Sequence, residues 1–406
     1  MSPMRAKHAA MIATIAAVLG LVFAGYSTYD YAQQLDRQVH AVHCSFIPGA
    51  PVSSDADNPC KAALFSTYSA IFRATYWGGV PISLFGLGAF AFFVGFAAYL
   101  RIGDRRLPKS AYPTFVLLAL GPLAVSILMF TISVTHLHAL CKLCVGVYSA
   151  STVIFLASLV GWRAHAADVG AAGGSRPVGW WTPPLAFAAL GASSLLPAIV
   201  YVSLLPDYRP MLDKCGKLAT TSDPHHGLLK IRTTHPLRAV TLFEDPLCPT
   251  CKAFHERLVD EGVFEQLDVT MAMFPLDSEC NWMLDRALHP GACVLAKAVI
   301  CGGNDKARMI LEWAYEQQDM LREAGKQGAG PLAAKVTERW GHEIGQCVTG
   351  KQVEIQLNQE LHFAANNHIP VSTPQMFLGD ERICDEDTDL GLRYTMAQLA
   401  PEVLRD

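Results

Sequence analysis

Glutamate is absent from residues 1–206, and charge of either sign is scarce there, with twelve Lys and Arg against six Asp. Soluble domains carry about a quarter of their residues as charge, so this half is excluded as a water-soluble globule. No flavin, haem or nicotinamide motif is present, nor an internal repeat or a heptad array, and no basic stretch reads as a nucleic-acid surface. Chemistry on those cofactors and nucleic-acid partners are therefore not expected. Hydrophobic residues fill the gap, at 51% of the 406 residues against 17% charged. The remainder of the chain, with 20 Lys and Arg against 30 Asp and Glu, reads as an acidic soluble domain.

Five apolar runs, 9–26, 80–100, 112–132, from about 141 to 162, and 185–205, are each long enough to span a bilayer. The first is expected to be a retained helix and not a cleaved signal, because no small-x-small cleavage site precedes Tyr29. Pro81 is expected to open the second helix with Trp77 as an interfacial ring, and Pro197 to kink the fifth. Basic residues collect at the N-terminus, at Arg101, Arg105, Arg106 and Lys109, and at Arg163 and Arg176. The positive-inside rule makes these segments cytoplasmic. Residues 30–77, the 133–140 turn and everything after about 206 are then exported. All twelve cysteines fall on that one side, which suits an oxidising compartment. The expected layout is a membrane domain over 1–165 with an exported cysteine loop at 30–77. A linker region, 166–234, holds the fifth span, and a soluble domain covers 235–406.

Two Cys-x-x-Cys pairs stand out. In a helix Cys141 and Cys144 share a face, with Tyr148 one turn further on, at the mouth of the fourth span. A dithiol there meets water on one side and a lipid-dissolved reactant on the other; a structural disulfide, inert thiols or half of a metal site are the competing readings. The exported loop adds Cys44 and Cys60, joined by a Pro/Ser/Asp-rich segment expected to be mobile, and Ser66, two helical turns beyond Cys60 in an amphipathic stretch over 61–73. Zinc on Cys44, Cys60, Cys141 and Cys144 is the rival arrangement, disfavoured because an oxidising compartment would oxidise it, and no metal is expected.

In the soluble half a strand at 237–243 leads into Cys248-Pro-Thr-Cys251 and a helix. A second strand at 268–274, a helical block over 281–361 broken at Gly302-Gly303 and at 325–331, a strand at 375–378 and a last helix at 394–404 follow. A cysteine at a helix N-terminus is held as thiolate by the exposed N–H groups, so Cys248 is the expected nucleophile and Cys251 the buried resolving thiol. Zinc binding and a plain structural disulfide remain alternatives for this pair.

Residues 235–406 resemble the DsbA-like thioredoxin superfamily, through Asp245-Pro-Leu-Cys-Pro-Thr-Cys-Lys252 and the late Thr373-Pro374. Pro374, in preference to Pro370, is expected to be the cis proline opposite the Cys-x-x-Cys, with Thr373 contacting substrate. Residues 9–165 resemble the vitamin K epoxide reductase family. The matching features are two loop cysteines, a serine six beyond the second, Val80-Pro-Ile-Ser-Leu-Phe-Gly86, a Cys-x-x-Cys entering the fourth span, and Tyr148 four beyond Cys144. The resemblance implies a four-helix catalytic core with a fifth linking span, followed by an α/β thioredoxin-like domain with a helical insertion. It makes Cys44 and Cys60 a shuttle pair, Cys141 and Cys144 the quinone-side pair, and Ser66 and Tyr148 hydrogen-bond partners of the quinone oxygens.

The implied activity is disulfide formation in exported proteins that carry free thiols, with ubiquinone or menaquinone from the membrane pool as electron acceptor and no obligate protein partner. The implied place is a bacterial inner membrane, with the thioredoxin-like domain on the outer side. A quinone or epoxide reductase using that domain as reductant, a disulfide isomerase, and a non-catalytic membrane-anchored module are the alternatives. Cys215, Cys280, Cys293, Cys301, Cys347 and Cys384 have no pairing legible in the sequence, although Cys280 and Cys293 are a candidate second redox pair.

Overall fold

The computed structural model describes residues 2–38, 40–47, 58–103, 107–171 and 177–404. Arg105, Arg106 and Arg176, used above for orientation, and the 48–57 part of the cysteine loop lie outside the described residues. Two units divide the chain, Met1–Pro206 and Asp207–Asp406.

Among the described residues of the first unit, five helices are long and apolar enough to cross a membrane. They are α1 (Ser2–Gln33), α3 (Ile82–Gly103), α4 (Ala111–Thr135), α5 (Lys142–Ala171) and α6 (Thr182–Leu204), with a short helix α2 (Pro59–Phe65) in the cysteine loop. With lipid outside, helix association depends on close packing, which small residues permit. Ala6, Ala10, Ala13 and Ala17 bury one stripe of α1. Gly20 of α1 lies under the Phe90 ring, Gly146 of α5 under Phe23, and Gly161 under Tyr112. On α4 and α6, Leu117, Ile127, Leu128, Leu185, Leu196 and Ile199 stay exposed, as side chains facing lipid do. The fifth span is packed into this unit: Gly88 of α3 lies so close to the Ser193 carbonyl of α6 that no side chain fits between them.

Four local expectations change. Val80–Pro81 forms strand β2, paired antiparallel with β1 (Ala70–Ile71), so Pro81 precedes the helix and does not open it. Trp77 is 2% exposed and packs inside the unit, where its ring is not interfacial. No helix runs over 61–73: α2 ends at Phe65 and the chain turns at Ser66, whose backbone is extended. Cys141 lies one residue before α5, which runs on past 162 to Ala171.

The second unit begins earlier than 235. Strand β3 (Leu229–Ile231) pairs antiparallel with β5 (Leu267–Met273), and Leu218 joins the core, so the expected exported linker is part of the fold. The sheet order is β3-β5-β4-β6-β7, with β4 (Arg238–Glu244) parallel to β5 and antiparallel to β6 (Gln375–Leu378), and β7 (Glu381–Arg382) at the edge. Buried on both faces, β4 reads as an apolar run and sets Val240 between Val269 and Leu378. Phe243 centres an aromatic cluster with Phe274, Phe363 and Phe377.

Helix α7 (Pro249–Asp260) follows β4 directly. The insertion comprises α8 (Ala292–Glu316), α9 (Gln318–Lys326), α10 (Ala329–Trp340), α11 (His342–Val348) and α12 (Lys351–Asn366). It starts at 292 and not at 281, because Asp277 accepts from the Gly291 and Cys293 N–H groups and caps α8 there. Gly303 breaks α8 with φ 55°, at the position the sequence marked. The final helix α13 (Leu392–Leu399) ends in a 3-10 turn, Pro401–Leu404. This is a thioredoxin fold carrying a helical insertion.

Candidate redox site

The membrane unit encloses a cavity of about 350 Å³ lined by Cys60, Ser66, Cys141, Cys144 and Tyr148 together with apolar side chains of α1, α3, α4 and α5. Its size is at the small end of the roughly 300–1,000 Å³ typical of small-molecule sites. The sequence places these five residues in two separate segments, and the fold brings them to one space. Leu190 and Ser194 of α6 also line it, so the fifth span is a wall of the site as well as a link.

Cys44 and Cys60 form a disulfide. Asn58 caps α2 by accepting from the Cys60 N–H at 2.9 Å, which fixes the second cysteine at a helix start. The loop's other end is pinned at His43, whose N–H and Nδ1 both reach the Asp30 carboxylate, at 2.8 and 2.6 Å. Cys141 and Cys144 are free thiols, and the Cys144 N–H donates to the Cys141 sulfur at 3.3 Å. Cys141 thus takes the N-cap position of α5, with Cys144 in the first turn and Tyr148 beyond it.

In the second unit Cys248 is the N-cap of α7 and Pro249 its first residue, where the missing N–H loses no helical bond. Cys248 and Cys251 are free thiols, 3% and 0% exposed. The Cys248 sulfur lies 2.8 Å from the Thr250 hydroxyl and 3.5 Å from the Thr373 carbonyl, and the Thr250 hydroxyl donates to that carbonyl at 3.2 Å. The Thr373-Pro374 peptide is cis, as expected for Pro374. The Thr373 carbonyl is therefore already engaged with the Cys-x-x-Cys. Hydrogen bonding from Cys251 is the largest cause pulling the Cys248 thiol down, helped by Thr250 and Thr373 against burial and the Asp245 charge, and it settles at about 6. Burial, reinforced by the neighbouring Cys248, pushes Cys251 well above the ordinary thiol range.

Several polar residues around this pair escaped sequence reasoning. Asp245 is buried and accepts from the Leu247 and Leu276 N–H groups and from His289 Nδ1, each at 2.7 Å. Burial opposes charge on His289, but the Asp245 carboxylate holds its imidazolium above the usual histidine range. Gln318 donates to the carbonyls of Pro246 and Cys248 and so fastens the active loop to the insertion. Glu244, whose carboxyl burial pushes upward, accepts from the Tyr315 hydroxyl at 2.8 Å. Only Asp245 adjoined a recognisable motif; Tyr315 and Gln318 come from the insertion and His289 from the segment just before it, more than forty residues away.

Residues 11–159 match the model of the vitamin K epoxide reductase family. The membrane unit carries a vitamin K epoxide reductase family domain. No curated protein matches the chain. Similar solved structures include the oxidoreductase DsbA from Xylella fastidiosa, with 20% identity and a TM-score of 0.31, covering 43% of this chain and 91% of that one. Reduced DsbA1 from Neisseria meningitidis has 13% identity and a TM-score of 0.32, covering 48% and 95%. A periplasmic thioredoxin-like protein from Salmonella enterica serovar Typhimurium has 18% identity and a TM-score of 0.25, covering 42% and 90%. A vitamin K epoxide reductase domain joined to a thioredoxin-fold dithiol makes this membrane protein a thiol-disulfide oxidoreductase.

Within the vitamin K epoxide reductase domain, the Cys44–Cys60 bond occupies two of the sulfurs that a four-thiolate zinc site requires. Ser66 lines the cavity, but its hydroxyl donates to the Ala63 carbonyl at 2.8 Å. As placed it offers lone pairs to the cavity, and it must rotate to donate to a quinone oxygen. Outside that domain, Cys215–Cys384, Cys280–Cys293 and Cys301–Cys347 complete the pairing that the sequence left open.

Proposed function

We propose that this chain is a quinone-dependent oxidase that makes disulfides in exported proteins. The observation that carries the reading is the cavity on which the loop disulfide, the Cys141 and Cys144 thiols and Tyr148 converge. Its apolar walls and few polar groups fit a quinone headgroup, which when bound supplies a two-electron, two-proton acceptor. Ubiquinone and menaquinone fit this chemistry alike.

A substrate thiolate attacks Cys248 in its oxidised form and expels Cys251, and a second substrate thiol completes the substrate disulfide. The reduced Cys248 thiolate then attacks the loop disulfide, and Cys251 closes on Cys248 to release the loop dithiol. The loop dithiol reduces the Cys141–Cys144 disulfide in the same way, each hand-over being direct substitution at sulfur. Tyr148 and Ser66 meet developing negative charge on the acceptor's oxygens.

The test is full-length protein in lipid vesicles with a reduced, unfolded secreted protein and ubiquinone-1, following quinol absorbance and substrate thiols together. One quinol appears for every two substrate thiols lost in the expected result. Cys248→Ala stops oxidation of the protein substrate but leaves quinone reduction by dithiothreitol, which reaches the inner pairs directly. Quinone reduction that continues undiminished in a Cys141→Ala, Cys144→Ala chain would remove the reading.

The proposed site of action is a bacterial inner membrane with the thioredoxin fold on the outer side, supported by the basic residues near the N-terminus and at Arg101, Lys109 and Arg163. Alkaline phosphatase fused after the last residue is expected to be active in cells. An inactive phosphatase there, with active β-galactosidase at the same junction, reverses the orientation.

A further inference from the structure

Asp30 is 1% exposed at the C-terminal end of α1, and its two carboxylate oxygens are held by one residue. A buried carboxylate at the end of a membrane helix is costly unless it is paired and used. Its partner, His43, immediately precedes Cys44. The backbone N–H of His43 fixes one oxygen and Nδ1 the other, so the imidazole cannot turn over without losing the Nδ1 bond. An ionised carboxylate only accepts, so the proton between them belongs to Nδ1. That leaves Nε2 as the nitrogen that exchanges a proton. Asp30, His43, Cys60 and Cys141 all line the same cavity, and the Cys44 sulfur is bonded to that of Cys60.

We infer that His43, oriented by Asp30, is the acid-base residue of loop disulfide exchange in the membrane unit. This rests on the relay proposed above. When Cys44 attacks the Cys60–Cys141 mixed disulfide, the Cys44 S–H bond breaks and its proton goes to Nε2. The Cys44–Cys60 bond forms, the Cys60–Cys141 bond breaks, and Cys141 leaves as a thiolate with the bonding pair. In reverse, the Cys141 thiolate attacks Cys60 and the imidazolium returns the proton to departing Cys44. Asp30 is a positioning residue: it fixes the tautomer and stabilises the imidazolium, as a carboxylate does for a catalytic histidine elsewhere. The titratable groups in contact with His43 are Asp30, Tyr26 and Tyr29; the Cys141 thiol and the Cys60 sulfur of the loop disulfide line the same cavity.

The reverse step is measurable without quinone. In full-length Cys144→Ala protein the Cys141 thiolate attacks the loop disulfide, and the Cys60–Cys141 link is quantified by acid quench and peptide mapping against pH. With His43 present, the rate is expected to rise with Cys141 ionisation and fall again at higher pH as the imidazolium is lost. His43→Gln removes that alkaline limb and slows the reaction about 10²-fold on the acid side, the usual size of a general-acid contribution. Asp30→Asn slows the reaction without abolishing the limb, because the imidazole loses the carboxylate that orients it. An alkaline limb that persists in His43→Gln, even at a uniformly lower rate, reduces the pair to an anchor and overturns the inference. No Cys60–Cys141 link at any pH with His43 intact would instead defeat the relay itself.

Discussion

Cys144→Ala protein accumulates a Cys60–Cys141 disulfide and reduces no quinone. In the proposed relay, Cys144 is the thiol that resolves a bond made to Cys141, because it lies in the first turn of α5 with its N–H directed at the Cys141 sulfur at 3.3 Å. Without it, a bond from the loop to Cys141 has no partner to break it. Family resemblance nominated Cys60 as the loop cysteine that meets Cys141. The cavity agrees, since Cys60 and Cys141 both line it and Cys44 is not among its lining residues. Loss of turnover is expected to be complete to the limit of detection, because the pair acts as a unit. Non-reducing peptide mapping reads the outcome. A Cys44–Cys141 link in its place exchanges the roles of the loop cysteines, and a Cys248–Cys141 link free of both ends the shuttle.

The second large effect lies in the Cys248–Cys251 dithiol. A thiol brought from an ordinary 9.0 to about 6 stabilises the reduced form by about 4 kcal/mol, at about 1.36 kcal/mol per unit. The sign follows from a depressed value. The stabilisation is complete above about 9, where a thiol in the unfolded chain is also ionised, and it is lost as pH falls through about 6. A reduced form stabilised in this way makes the disulfide oxidising. Against glutathione, Cys248–Cys251 should become about tenfold harder to oxidise with each pH unit from about 6 towards 9. Equilibration of a Cys44→Ala, Cys60→Ala chain with glutathione buffers, acid quench and mass-tag counting measures it. A flat equilibrium across that window contradicts the assignment of Cys248 as a stabilised thiolate.

Periodicity and composition made the spans and the strand-Cys-x-x-Cys-helix unit legible, because each rests on a local signal, and the resemblance to thioredoxin-like proteins nominated the cis Pro374. Ser66 shows where local signals stop. Its spacing from Cys60 suggested a continuing amphipathic helix, but the chain pairs Ala70–Ile71 with Val80–Pro81, and that pairing ends the helix at Phe65. Strand β3 has only three residues, too few to show alternation, and exists because β5 offers an edge. Asp30 and His43, thirteen residues apart, carry no motif; only a helix end folded against a loop brings them together. The same holds for His289 and Asp245, forty-four apart, and for the pairing of the six additional cysteines, where sequence order is no guide to distance.

The Cys215–Cys384 bridge spans 169 residues and encloses the Cys280–Cys293 and Cys301–Cys347 bridges. A chain made from its N-terminus exposes Cys215 first of these and Cys384 last, with Cys248, Cys251, Cys280, Cys293, Cys301 and Cys347 emerging between them. Strict pairing in order of emergence would join Cys215 to Cys248 and silence the nucleophile before the sheet is finished. The bridge is therefore a completion signal. It closes only once β7 has been delivered, and it ties the maturation of a disulfide-exchanging protein to a correctly formed, non-consecutive disulfide of its own.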